Sequence, residues 1–126
     1  MQVFTPDMSS DPAVTNPDAY TVVFENDRVR VLEYRDTPGH LTTPHAHPDS
    51  VMYTLSDFRR RLHSSGSARD VHMAAGTVGW LPAQEHSGEN IGDTETHVVF
   101  VELKHPEGGT EPAGSPALGP DMPERS

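Results

Sequence analysis

Short apolar runs alternate with turn-forming residues along this chain at roughly 8–12-residue spacing, the pattern of an all-β sandwich or barrel. Tyr20 to Glu25 reads as a strand and Asn26-Asp27 as a turn. Arg28 to Arg35 alternates between two faces until Asp36, Thr37, Pro38 and Gly39 break it. Further strands are expected at Val51 to Leu55, Phe58 to His63, Ala68 to Met73, Thr77 to Leu81, His86 to Asn90 and Thr96 to Leu103. Ser64 to Ser67 reads as a hairpin turn, and Ala74 to Gly76 and Gly92-Asp93 as further breaks. No stretch carries a helical period, and no internal repeat stands out.

The ends change the picture. Of 126 residues, 12 are proline and only 33% are hydrophobic. The prolines and small polar residues crowd the termini. Residues 104–126 show no apolar periodicity and read as a flexible tail, because they cannot bury enough surface to offset ordering entropy. Residues 1–19 read as a loosely held arm. The folded unit is then residues 20–103, a core small enough to gain from a bound metal or a partner subunit. A homodimer is expected, with Tyr20 to Phe24 as a candidate edge strand for the contact.

Charge and composition exclude several classes. The net charge of −10 and the lack of a basic stripe argue against nucleic acid. Arg59, Arg60 and Arg61 form the one basic run and straddle both faces of a strand. No cysteine is present, so there is no disulfide, thiolate ligand or thiol nucleophile. The first residues lack the basic and apolar stretches of a secretory signal, and no run is long enough for a membrane span. A cytoplasmic location is expected.

The candidate chemistry lies in the histidines. His45 and His47 are separated by Ala46, so in an extended segment both project from one face. His86 begins another apolar segment about forty residues on. Three imidazoles from two strands can hold one divalent cation and leave positions open for water or substrate. Neutral imidazole suits Fe, Ni, Zn and Cu alike, and Mn is also possible, so the ligand set leaves the metal open.

These residues resemble the two motifs of the cupin superfamily. Gly39, five residues, His45, one residue and His47 matches the first half of its first motif. Gly76, five residues, Pro82, then His86, three residues and Asn90 matches its second. The wording of His47 to Met52 and of Trp80 to Thr94 resembles small bacterial cupins labelled β-alanine degradation proteins. The resemblance implies a single antiparallel cupin or jelly-roll β-barrel with a metal at His45, His47 and His86. Two departures stand out. The carboxylate ligand expected near Val51 or Met52 is missing, and His86 comes one residue early, with Gln84 where a glycine is usual. The three-histidine variant resembles thiol and diketone dioxygenases, and loss of the carboxylate also accompanies cupins that only bind ligands. The resemblance therefore implies a dioxygenase acting on a small carboxylate or carbonyl compound, and the missing carboxylate ligand favours an anionic one. A metal-dependent isomerase or hydrolase and a non-catalytic small-molecule binder are the alternatives.

Secondary residues follow from parity. Gln84, two before His86, would share its face as a fourth ligand or substrate partner, and Tyr53 could bring a hydroxyl to the pocket; both are candidate catalytic residues. Asp49 and Glu85 are lesser candidates for ligand or base, and His40 for the mouth. Trp80 and Phe100 read as core aromatics, Asn90 as a turn or strand-edge residue, and His63, His72, His97 and His105 as surface or packing histidines.

Overall fold

The computed structural model describes residues 10–104. Arm residues 1–9 and the tail from His105 onward lie outside the described residues. The described chain comprises one helical turn, α1 (Pro12–Thr15), and strands β1 (Tyr20–Glu25), β2 (Val29–Asp36), β3 (His45–His47), β4 (Ser50–Thr54), β5 (Phe58–Ser64), β6 (Ser67–Met73), β7 (Val78–Leu81), β8 (Gln84–Asn90) and β9 (Thr96–Leu103). No helix among these residues is long and apolar enough to cross a membrane.

The strands pair antiparallel in two sheets, of order β1-β2-β9-β4-β7 and β3-β8-β5-β6. Alternation sets what each sheet turns inward. On β9, Thr96, Val98, Phe100 and Glu102 are buried while their neighbours are half-exposed. Val98 and Phe100 meet Tyr20 of β1, Leu32 and Tyr34 of β2, and Phe58 from the opposite sheet. Leu32 is fully buried at the centre, so Leu32→Ala would cost about 2–5 kcal/mol. The β5–β6 hairpin turns on Ser65 (φ 51°) and Gly66 (φ 78°), a two-residue turn with both φ positive that matches the strand twist.

Two expectations need correction. The sheets do not close into one barrel: β1 and β7 edge one sheet, and β3 and β6 the other. On one side the gap is covered by α1, which packs on β1 and β3. On the other, β6 and β7 wall a cavity of about 760 Å³. β7 is only four residues and stops before Pro82, which has no N–H to extend a ladder. The second correction is the helix. Residues 10–19, read as part of the arm, include α1, with Asp11 accepting the Ala13 N–H at 2.9 Å as N-cap and Pro12 at the first helical position. Asp11 also pairs with both terminal nitrogens of Arg30 at 2.8 and 3.0 Å, tying the turn to β2.

Candidate metal centre

β3 and β8 are adjacent and antiparallel, with His45 opposite His86 and His47 opposite Gln84. That register puts all three histidines on the inner face. His45, His47 and His86 are buried, and their ligand atoms all lie within 4.8 Å of one another. The ring centroids sit 4.8, 4.9 and 5.0 Å apart. The two-strand convergence read from the His45–His47 spacing and His86 is what the structure contains.

Each ring is held from behind at Nδ1. The Thr43 carbonyl accepts from His45 at 2.8 Å, the Glu102 carboxylate from His47 at 3.2 Å, and the Gln84 Oε1 from His86 at 2.7 Å. An acceptor at Nδ1 puts the ring proton there and leaves the Nε2 lone pair free. Burial, then the neighbouring histidines and Arg60, push His86 down to about 3. Burial, then His47, lower His45 to about 4, with Arg60 a smaller contribution. Both rings are therefore neutral near pH 7, the form in which imidazole ligates.

Tyr20 enters the cluster from β1. Its hydroxyl lies 3.2 Å from His45 Nε2 and 3.3 Å from His47 Nε2. Burial raises this phenol well above its usual range, so it stays protonated here. One phenol proton serves one of these lone pairs at a time, and His86 Nε2 has no hydrogen-bond partner among the described residues. Three converging nitrogen lone pairs matched by one proton form a buried site short of positive charge. That donor set fits a divalent cation of the borderline class that favours imidazole.

The structure redistributes the secondary candidates. Gln84 shares the face of His86, but its amide oxygen sits behind the ring, on the side away from Nε2, while its Nε2 donates to the Pro82 carbonyl at 3.1 Å. Tyr53 points outward from β4, because Ser50, Met52 and Thr54 take the inward phase; it is 43% exposed and its hydroxyl lies near the backbone of Gly76. Trp80 is also no core residue: it is 56% exposed at the cavity rim, whereas Phe100 is core. Asp49 accepts the Ala83 N–H at 2.8 Å and serves the turn into β8. Glu85 points outward. Asn90 is more than an edge residue, being buried with its amide donating to Asp36 at 3.0 Å.

Three contributors escaped the sequence reading. In the sequence Tyr20 and Glu102 read only as strand residues, and Asn16 as part of the arm. Glu102 carried a signal, an acidic residue on the inward phase of β9 in step with Val98 and Phe100. Asn16 fixes Thr43, accepting its N–H at 2.9 Å and donating to its carbonyl at 3.3 Å. No sequence pattern tells that an asparagine in the arm reaches residue 43.

No protein-family model matches the chain, and no curated protein matches it. Among solved structures, it is similar to a cupin domain from Bordetella pertussis Tohama I, with 31% identity over 68% of this chain and 92% of that one, and a TM-score of 0.64. It is also similar to a protein with a double-stranded β-helix domain from Klebsiella pneumoniae, with 25% identity over 67% of this chain and 74% of that one, at a TM-score of 0.54. A cupin superfamily protein from Desulfitobacterium hafniense matches at 14% identity over 68% and 76% of the two chains, with a TM-score of 0.52, and shares the fold. Two facing antiparallel sheets, the paired histidine motifs and the 31% identity lead to one conclusion: the chain belongs to the cupins.

Proposed function

We propose that the protein is a small metal-dependent enzyme of the three-histidine type, acting as a dioxygenase on a small carboxylate or carbonyl compound. The observation that carries this reading is the convergence of three buried imidazoles, each with its Nδ1 already occupied by an acceptor. His45, His47 and His86 would hold the ion. When bound, it would supply Lewis acidity and, if redox-active, a route for dioxygen chemistry. The chain's own groups do the rest. Thr43, Glu102 and Gln84 keep the rings oriented; among the described residues no carboxylate joins the ligand group, and Glu102 contacts a ring at Nδ1 and is itself bound by Arg30 at 2.9 Å. The ion would therefore keep its full charge, which favours an anionic substrate. The Tyr20 hydroxyl is placed to donate to an oxygen entering the cluster.

The test has two stages. Metal content by mass spectrometry on protein purified without an affinity tag should give one ion per chain, and His47→Ala and His86→Ala should each abolish it. Oxygen uptake by iron-loaded protein is then screened with small carboxylates, β-alanine among them because of the motif resemblance. Full metal retention in both variants would place the ion elsewhere, and metal-loaded protein without turnover on any carboxylate would leave a binding module.

A further inference from the structure

Beside His45 and His86, the same cavity is lined by a buried arginine. On β5, Phe58 and Arg60 point inward while Arg59 and Arg61 point out, so the one basic run of the chain delivers a single cation to the interior. Arg60 is 7% exposed. Its Nη1 is committed, donating to Asp36 at 2.6 Å and to the Thr96 hydroxyl at 3.2 Å. Its guanidinium lies 5.1 Å above the Tyr34 ring. Asp36 in turn is saturated by fixed donors, taking the Asn90 amide at 3.0 Å on one oxygen and the Tyr34 hydroxyl together with Arg60 on the other.

The opposite edge of Arg60 is bare. Nε and Nη2 have no hydrogen-bond acceptor among the described residues. This edge borders the cavity, so its donors are open to a ligand oxygen that can displace water there. The chain also keeps this edge clear. Residue 88 faces it and is glycine; a Cβ there would come 2.9 Å from Nη2 and 3.4 Å from Nε. The Nε–Nη2 edge is a rigid two-donor fork whose spacing matches the two oxygens of a carboxylate.

We infer that Arg60 is the anchor for a carboxylate group of the substrate, which lies across the Nε–Nη2 edge while the rest of the molecule extends toward His45 and His86. The inference rests on the enzyme reading above and narrows it: the substrate is a small carboxylate carrying a second oxygen-bearing group, of a size for a cavity of about 760 Å³. Asp36, Asn90, Thr96 and Tyr34 position the guanidinium and do not touch the ligand.

The test is calorimetric titration with acetate, malonate and 3-hydroxypropanoate, on metal-free and on zinc-loaded protein. The parent should bind at least one of the three in both forms. Arg60→Met alone would strand Asp36, so it is paired with Asp36→Asn, which removes both buried charges together. That double variant should lose at least tenfold in carboxylate affinity, in the metal-free form as well, while binding zinc at the parent's stoichiometry. Gly88→Ala, which keeps the ion pair, should weaken carboxylates by a similar factor. Equal carboxylate affinity in the parent and both variants, or a parent that binds none of the three, overturns the anchor. Arg60-dependent carboxylate binding in a protein that takes up no zinc supports the anchor and removes the metal reading instead.

Discussion

Gln84 and His86 divide the work of a metal ligand between two side chains. The imidazole presents Nε2 to the cluster, and the amide oxygen 2.7 Å behind it fixes which nitrogen carries the proton and how the ring is turned. Outer partners of this kind commonly tune metal affinity by 10–100-fold. Gln84→Leu should therefore leave the fold intact and weaken metal binding by about one to two orders of magnitude, whereas Gln84→Glu, a stronger acceptor, should tighten it. Competition against a chromophoric chelator measures both; identical affinities in parent, Leu and Glu would mean the amide does not orient the ring. This partition shows what a sequence can and cannot display. The parity of Gln84 with His86 is legible, and so is the shared face. Which end of the ring the amide meets is not, because it depends on how β8 leaves the Pro82 turn. Tyr53 fails for a related reason. Both faces of β4 carry apolar residues, so alternation alone cannot say which phase is inward, and burial of Ser50 and Thr54 settles it against Tyr53.

At the level of elements, most strands were legible because turn residues bracket them; β1 and β9 span the residues read for them, and β9 alternates throughout. What composition hid was the arm. A stretch rich in proline, aspartate and threonine reads as unstructured, yet Asp11-Pro12 is a helix-start signature that the arm reading passed over. α1 matters out of proportion to its one turn. Asp11 binds Arg30, Arg30 binds Glu102, and Glu102 holds His47. Asn16, at the end of α1, holds Thr43 and through it His45. Two of the three histidines are thus braced from residues 11–16. Asn16→Ala removes the acceptor of the part-buried Thr43 N–H and should cost about 0.5–1.5 kcal/mol in stability. Its distinguishing effect is on the site: metal affinity should fall by more than in Leu32→Ala, a core variant of at least equal destabilisation. Denaturant unfolding and chelator competition on both proteins decide this, and metal affinity unchanged by Asn16→Ala would reduce the arm to packing.

At the scale of the whole molecule, two properties follow from where charge and apolar surface fall. The outer face of the five-stranded sheet aligns Val31, Val101, Val51 and Trp80 in one cross-strand row and Val99, Tyr53 and Val78 in the next. Val78 and Trp80 are 67% and 56% exposed. An apolar row of this kind is unusual on a lone small domain. The homodimer expected from the sequence therefore has a better surface than the β1 edge. The parent should scatter light as about twice 13.8 kDa, and Val78→Arg with Trp80→Arg should return it to the single-chain mass; an unchanged mass would exclude this face. The second property is stability against acid. His45 and His86 stay neutral in the folded protein down to about 4 and about 3, whereas in the unfolded chain they ionise near the ordinary imidazole value of about 6.5. As pH falls through that window the unfolded state binds protons that the folded state refuses, so the stability of metal-free protein must fall with it. Each histidine contributes a slope of up to about 1.4 kcal/mol per pH unit between its unfolded and folded values. Other groups titrate in the same range, so the informative quantity is the difference between the parent and His86→Gln. With chelator present, denaturant unfolding from pH 7 to pH 4.5 should show the parent losing stability more steeply than the variant by about one proton's slope, the gap opening below about pH 6.5. Parallel curves would mean that His86 takes up its proton as readily folded as unfolded. The cluster would then be solvated and positively charged at mildly acidic pH, unfit to hold a cation there.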